Sequence, residues 1–294
     1  MSNSGSFYAV ITAALFATLG IFTKYIYNYH LSSEMVFLSS SIISTIVTFF
    51  ILLIKEKNPN SLKIRKVDFI ISFIVAGFLA LFCCNISVLK SLNYIDAGVQ
   101  KVIAYSSPIF TTFIYVTFFR RKITKLEFAS LSVMLVGLIL IIGNMNFTDS
   151  SIFKGILFSL MAAIFSSLYS IITEEFKTEI NFIVYWFYAF LGASVSVLIY
   201  MIFNSIPINF AIITSNFELT LLLLASAILN FVIPYITQFL AIGSIGAIKT
   251  GVILTLSPVL CVLLGVFLLG EGITFLQIVG MVLVVIASLV ISKK

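Results

Sequence analysis

At 294 residues, 61% hydrophobic and only 10% charged, with a mean hydropathy of +1.20, the chain carries more apolar surface than a water-soluble domain of this size can bury, so lipid is its expected solvent. The net charge of +6 would suit a nucleic-acid binder in a soluble protein, but in a membrane protein the distribution of charge among loops matters more than the sum, and no nucleic-acid partner is expected.

Apolar runs near the spanning length of about 20 residues begin with Phe7–Tyr27. No Lys or Arg precedes this run and no small-residue cleavage site marks it, so it reads as a retained helix and not a secretory signal. Met35–Ile54 follows, with Ser39, Ser40, Ser41, Ser44 and Thr48 placing small residues along one helical face, a pattern for close helix–helix contact within the monomer or in a homodimer. Phe69–Leu89, Ala97–Phe119 and Glu127–Gly143 complete the first half; Lys154–Thr173, Phe182–Phe203, Leu219–Ile242, Ala247–Leu269 and Thr274–Ile291 make up the second, ten expected spans in all. Cys83, Cys84 and Cys261 all fall inside these runs, and no further Cys or His completes a ligand set, so they read as packing residues with neither metal nor cofactor expected.

The basic residues are sorted by loop. Lys55, Lys57, Lys63, Arg65 and Lys66 crowd the second loop and Arg120, Arg121, Lys122 and Lys125 the fourth; with ten spans, Lys177, Lys293 and Lys294 join them on the same side. Twelve of the 17 basic residues are then on one face, and the positive-inside bias predicts a multi-pass cell-membrane protein with both termini in the cytoplasm. Lys24, Lys90, Lys101, Lys154 and Lys249 remain, at or just within helix ends.

Sliding the sequence by 150 positions lays residues 97–126 on residues 247–276 without a gap, with nine identities in thirty that include Ser107/Ser257, Pro108/Pro258, Ile123/Ile273 and Thr124/Thr274. A second pair, "AALFATL" at 13–19 and "AAIFSSL" at 162–168, has an offset of 149. The expected fold class is therefore all-α and integral to the membrane, ten transmembrane helices in two five-helix repeats, residues 1–150 and 151–294. Five is odd, so the second copy enters from the opposite side: an inverted repeat, which in secondary transporters places the substrate site between the halves. The loops agree, since residues 204–218 and 270–273 contain neither Lys nor Arg.

"LFATLGIFTK" (15–24), "LKSLNYIDAGVQKVIAYSSPIF" (89–110) and "LAIGSIGAIKTGVILTLSPVLCVLLGVFLLGEGIT" (240–274) resemble the EamA-type drug/metabolite transporters, over nearly the whole chain. Two positions depart from the family pattern: Phe16-Ala17 stands where Trp-Gly is usual, and Arg121 replaces an acid, which puts any paired role with Glu271 in doubt. The resemblance implies a cavity lined mainly by helices 1, 3, 4, 6, 8 and 9, and transport of small polar solutes by alternating access.

Within a helix a proline removes one donor and displaces the carbonyl four residues back, so Pro108, Pro234 and Pro258 would free those of Ala104, Asn230 and Leu254. Such kinks face neighbours or water, and the three read equally as packing kinks or as gate elements. Polar side chains near mid-span are costly and informative. Asn85, Tyr105, Tyr169, Asn230, Tyr235, Gln238 and Thr255, with Ser166, offer aromatic faces and hydrogen-bonding groups suited to a zwitterion or an aromatic metabolite, or else to interhelical bridging. Lys24, Lys90 and Lys101 approach the outer face near Glu34 and Asp96, as a positive mouth or as snorkelling side chains. Glu271 reads as a structural cap that favours the positive N-terminus of helix 10.

Every one of the 11 acids lies in a loop or near a helix end, and the single histidine, His30, is in a short loop, so facilitated diffusion or coupling through a peripheral acid stands beside proton coupling. Neither a Ser–His pair nor a pair of acids within a span supports an intramembrane enzyme. The expected function is secondary transport of small polar metabolites, amino acids or related solutes, with efflux favoured. Alternatives are uptake of an amine, nucleoside or other metabolite, and, from other classes, a channel or a membrane-embedded receptor.

Overall fold

The structure, a computed structural model, describes residues 2–55, 65–142, 150–175, 181–269 and 273–292. Among these the chain is helical throughout, with no β-strand. The helices are α1 (Ser2–Tyr27), α2 (Ser33–Lys55), α3 (Lys66–Ser91), α4 (broken into Ala97–Ala104 and Ser107–Thr117), α5 (Lys125–Ile142), α6 (Ser150–Glu175), α7 (Phe182–Phe203), α8 (Phe217–Ile245), α9 (broken into Ala247–Leu254 and Leu256–Leu269) and α10 (Phe275–Ser292). A one-turn helix, Ala211–Ser215, precedes α8. Each expected apolar run is occupied by one of these helices, but the count of spans is smaller: among the described residues seven, α1, α2, α3, α6, α7, α8 and α9, are long and apolar enough to cross a membrane. α4 is broken before Pro108, and α5 and α10 are described over 18 residues each.

The helix breaks follow the prolines. In α4 the turn at Tyr105 and Ser106 sits just before Pro108, and in α9 the break at Thr255 sits three residues before Pro258. In α8 the chain widens to an i→i+5 turn over Ala227–Val232, directly ahead of Pro234, where the missing N–H interrupts the regular ladder.

The packing pattern repeats between the halves. α1 packs on α8 as α6 packs on α3; α1 packs on α9 as α6 packs on α4; α7 packs on α3 as α2 packs on α8. α5 and α10 pack on each other, as do α2 and α7. Exchanging α1–α5 with α6–α10 therefore carries these pairs into one another.

Close approach needs small residues. A Cβ added to Gly77 on α3 would stand 2.7 Å from the Ala189 carbonyl oxygen and 3.0 Å from the Gly192 Cα, so α3 and α7 touch backbone to backbone. α5 and α10 meet in the same way at Gly137, where a Cβ would stand 2.7 Å from the Gly280 carbonyl oxygen. The Ser/Thr face of α2 is buried inside the one chain: Ser44 lies against the Ala227 carbonyl of α8 at 3.4 Å, and Thr45 Oγ1 is 3.5 Å from Ser194 Oγ of α7.

The repeated Ile-Thr pairs prove to be helix starts. Thr124 N donates to Glu127 Oε2 at 2.9 Å while Glu127 N donates to Thr124 Oγ1 at 3.2 Å, and the second copy does the same with Thr274 and Gln277 at 2.8 and 3.3 Å. Glu271, the expected cap of that region, lies outside the described residues; the N-terminus of α10 is capped by the Thr274–Gln277 pair.

The outward faces are apolar. Phe118, Phe203, Phe217, Phe267 and Phe275, all near helix ends, are among the most exposed large side chains, as expected of surfaces solvated by acyl chains and not by water.

Candidate functional site

A cavity of about 70 Å³ lies where α1, α3, α4, α6, α8 and α9 converge, the six helices that the family resemblance implied. Phe16 of α1, Asn85 of α3, Lys101 and Tyr105 of α4, Tyr169 of α6 and Gln238 of α8 contribute to its wall, and Gly251 of α9 lets α4 approach closely: a Cβ there would stand 2.9 Å from Pro108 Cγ.

Of the seven side chains singled out as substrate contacts, Asn85, Tyr105, Tyr169, Tyr235 and Gln238 line this cavity. Asn85 Nδ2 donates to the Tyr235 hydroxyl at 2.6 Å and to the Leu81 carbonyl at 2.9 Å, joining α3 to α8. Tyr235 in turn packs edge-on to Phe16 at 5.4 Å and against Trp186 at 5.3 Å, so its ring is held from two sides. Asn230 and Thr255 are placed elsewhere. The Asn230 carboxamide oxygen accepts from Thr18 Oγ1 at 2.9 Å, bridging α8 and α1, and the Thr255 hydroxyl donates to the Val252 carbonyl beside the break in α9.

The Asn85–Tyr235 bond fixes two cavity residues, and its energy is modest. Tyr235→Phe is expected to lower stability by about 0.6 kcal/mol, the mean for an interhelical side-chain hydrogen bond in a membrane protein, because Asn85 keeps its bond to Leu81. Denaturant unfolding in detergent checks this; a loss several times larger would mean that the hydroxyl holds more than Asn85.

The three prolines lie at helix contacts. Ser167 Oγ of α6 donates to the Ser107 carbonyl at 2.8 Å, one residue before Pro108. The Pro234 carbonyl is met by Thr237 Oγ1 at 3.1 Å and Thr12 Oγ1 at 3.5 Å, with the two threonine hydroxyls 2.6 Å apart. Pro258 is buried in α9.

The three lysines expected at one mouth separate. Lys24 Nζ lies 3.5 Å from Asp96 Oδ1, and Lys90 Nζ lies 3.1 Å from Glu34 Oε1 and 2.7 Å from the Tyr200 hydroxyl, so these two tie α1 to the start of α4 and α3 to α2 and α7. Lys101 is instead buried in the cavity wall, 4% exposed, with its amine 5.8 Å from the Phe16 ring centre and 5.6 Å from that of Tyr105. Its place near the start of α4 suggested a mouth; the cavity wall it belongs to is completed by residues of α1, α3, α6, α8 and α9.

The opposite end is tied together by a residue that the sequence did not flag. Glu174, near the end of α6, accepts from the backbone N–H of Ala247 at 2.6 Å, from the Tyr115 hydroxyl at 2.9 Å and from Arg121 Nη1 at 3.3 Å. Gly246 precedes Ala247 with φ of +83°, a conformation that suits glycine and turns the chain sharply from α8 into α9. One carboxylate thus holds the end of α6, the end of α4 and the start of α9 together.

The profile of the EamA-like transporter family matches this chain twice, over residues 3–143 and 153–293. The chain belongs to the EamA-like transporter family. Two relatives are an uncharacterized transporter, YcbK, of Bacillus subtilis strain 168, 24% identical over 285 residues that cover 94% of this chain and 89% of that one, and an uncharacterized transporter of Clostridium kluyveri, 24% identical over 220 residues that cover 74% and 70%. A solved crystal structure superposes on 100% of this chain and 98% of its own with a TM-score of 0.78 at 16% identity, a likeness of fold. The chain is thus a multi-pass membrane transporter, and these relatives carry the names of transporters and not of enzymes.

Both departures from the usual EamA-type pattern fall at informative places. Phe16 supplies a ring to the cavity wall, and Arg121 pairs with Glu174 at 3.3 Å and with Glu127 at 3.7 Å. Gln100 is a cavity residue that sequence reasoning missed, although a polar side chain next to Lys101 within the repeated segment was a usable signal.

Proposed function

We propose that this EamA-family chain is a secondary transporter that moves small polar metabolites, amino acids or related solutes, across the cell membrane by alternating access. Its ten helices act as two inverted five-helix repeats, residues 1–150 and 151–294, with both termini in the cytoplasm. The observation that carries this reading is the central cavity between the repeats, walled by aromatic and polar side chains and tied at either end by separate polar contacts: Lys24–Asp96 and Lys90–Glu34 at one, Glu174 with Ala247, Tyr115 and Arg121 at the other. The double family match and the exchangeable packing of the two halves support the repeat, and the basic loops support the orientation. Asn85, Tyr105, Tyr169, Tyr235 and Gln238 are the proposed solute contacts. Efflux is the direction favoured.

Flux into and out of proteoliposomes, loaded in turn with amino acids, amines, nucleosides and organic acids, tests the proposal. Saturable counterflow of at least one solute is the expected result; unitary currents would identify a channel, and binding without flux a receptor. Loss of cellular retention of the transported solute on expression would support export, and enhanced accumulation would reverse the direction.

A further inference from the structure

Four charged side chains are buried among the described residues: Glu34, Asp68, Glu127 and Lys101. Each acid has a base. Glu34 pairs with Lys90 at 3.1 Å, Asp68 with Arg65 at 2.7 Å and Glu127 with Arg121 at 3.7 Å. Lys101 has no carboxylate partner among the described residues, and the one other titratable group besides tyrosines in the cavity wall is the thiol of Cys84. The ring faces of Phe16 and Tyr105, near 6 Å from its amine, attract a cation but do not neutralise it.

A buried ammonium without a counter-charge is costly, and breaking a buried pair by removing one partner is costly for the same reason. The adjacent Gln100 repeats the problem in neutral form. Its side chain is fully buried in the cavity wall, and neither Gln100 Nε2 nor Gln100 Oε1 has a hydrogen-bond partner among the described residues. Among the described residues no Asp or Glu lines the cavity, so the wall meets a cationic solute with ring faces and neutral amide and hydroxyl oxygens only, while opposing it with the charge of Lys101.

We propose that Lys101 is the anion-binding residue of this cavity and that the solute it takes carries a carboxylate, whose charge neutralises the amine while Gln100 bonds to a neighbouring polar group of the same solute. The inference deepens the transporter reading and rests on it for the word transport, but not for binding. It selects carboxylate-bearing solutes, amino acids and organic acids, over amines and nucleosides of similar size.

The test uses the full-length protein in detergent and matched sets of solutes on the same short carbon skeletons: butanoate, butanamide and butylammonium, with alanine and alaninamide as a second set. Thermal unfolding and equilibrium binding are read for each. Carboxylates are expected to raise the unfolding midpoint and to bind at least tenfold tighter than their amide or amine counterparts. In Lys101→Met that preference disappears, in Lys101→Arg it persists, and Gln100→Leu weakens binding of alanine, which has a polar group beside its carboxylate, more than that of butanoate, which has none. Equal shifts for carboxylate and amide in the unaltered protein, no shift for any carboxylate, or an undiminished preference in Lys101→Met would overturn the inference. The first two outcomes need no variant to fold. Liposome flux separates the two readings: Lys101-dependent carboxylate binding with no flux of any solute leaves the inference standing and sinks the transporter mechanism, whereas flux of an amine undiminished by Lys101→Met does the reverse.

Discussion

Replacing Glu174 by alanine is expected to loosen the end of the protein that this carboxylate ties together, and the native thiol of Cys84 in the cavity wall reports it. The carboxylate accepts three hydrogen bonds, one from the Ala247 backbone at the start of α9 and two from Tyr115 and Arg121 at the end of α4. Its side chain is 20% exposed, so loss of the partner costs less than for a dry ion pair and more than for a surface one, about 1–3 kcal/mol. About 1.4 kcal/mol already shifts a two-state equilibrium tenfold. Alkylation of Cys84 by a hydrophilic maleimide, followed by mass spectrometry of the purified protein, is therefore expected to run about tenfold faster in Glu174→Ala. Glu174→Gln, which keeps an acceptor for Ala247 but loses the charge facing Arg121, falls between the two. An unchanged rate in both variants, with folding intact, would mean that this end is held shut by packing alone.

The second large effect is on folding. A Cβ at Gly192 would stand 3.1 Å from the Phe73 carbonyl carbon and 3.2 Å from the Phe73 Cα, and closer still to the carbonyl oxygen, all backbone atoms of α3 that cannot turn aside. Gly192→Leu forces α3 and α7 apart along their whole contact and is expected to cost about 3 kcal/mol or more. Its yield as a monodisperse species in detergent should collapse and its unfolding midpoint fall by several degrees. Gly243→Leu on α8 is the control: nothing lies within 4 Å of a Cβ there, so it should fold as the parent does. Equal behaviour of the two leucine variants would show that the α3–α7 contact tolerates spreading.

The helical runs were legible because spanning helices need long apolar stretches, and those stretches are written in composition. The repeat was legible too, and its Ile-Thr identities carried more than similarity, since Thr124 and Thr274 each close a capping pair at the start of α5 and α10. The prolines announced the breaks in α4 and α9 because a missing N–H acts locally. Asn230 and Thr255 were indistinguishable from the cavity residues by sequence: a polar side chain at mid-span satisfies itself either in a cavity or on a neighbouring helix, and only the neighbour, Thr18 for Asn230, says which.

By itself, then, the sequence determined the solvent, the helices, the doubling and the family, all consequences of local composition or of residues at fixed spacing. The tertiary structure decided what each charge does. Lys101 stands one turn into α4, and its place near the helix end suggests a mouth, yet Phe16, 85 positions away, lies over it and both belong to the cavity wall. Glu174, 73 residues from Ala247, is an ordinary helix-end acid until α9 begins beside it. Depth and partnership depend on which helices pack around a residue, and that information is spread over the chain and belongs to no single stretch of it.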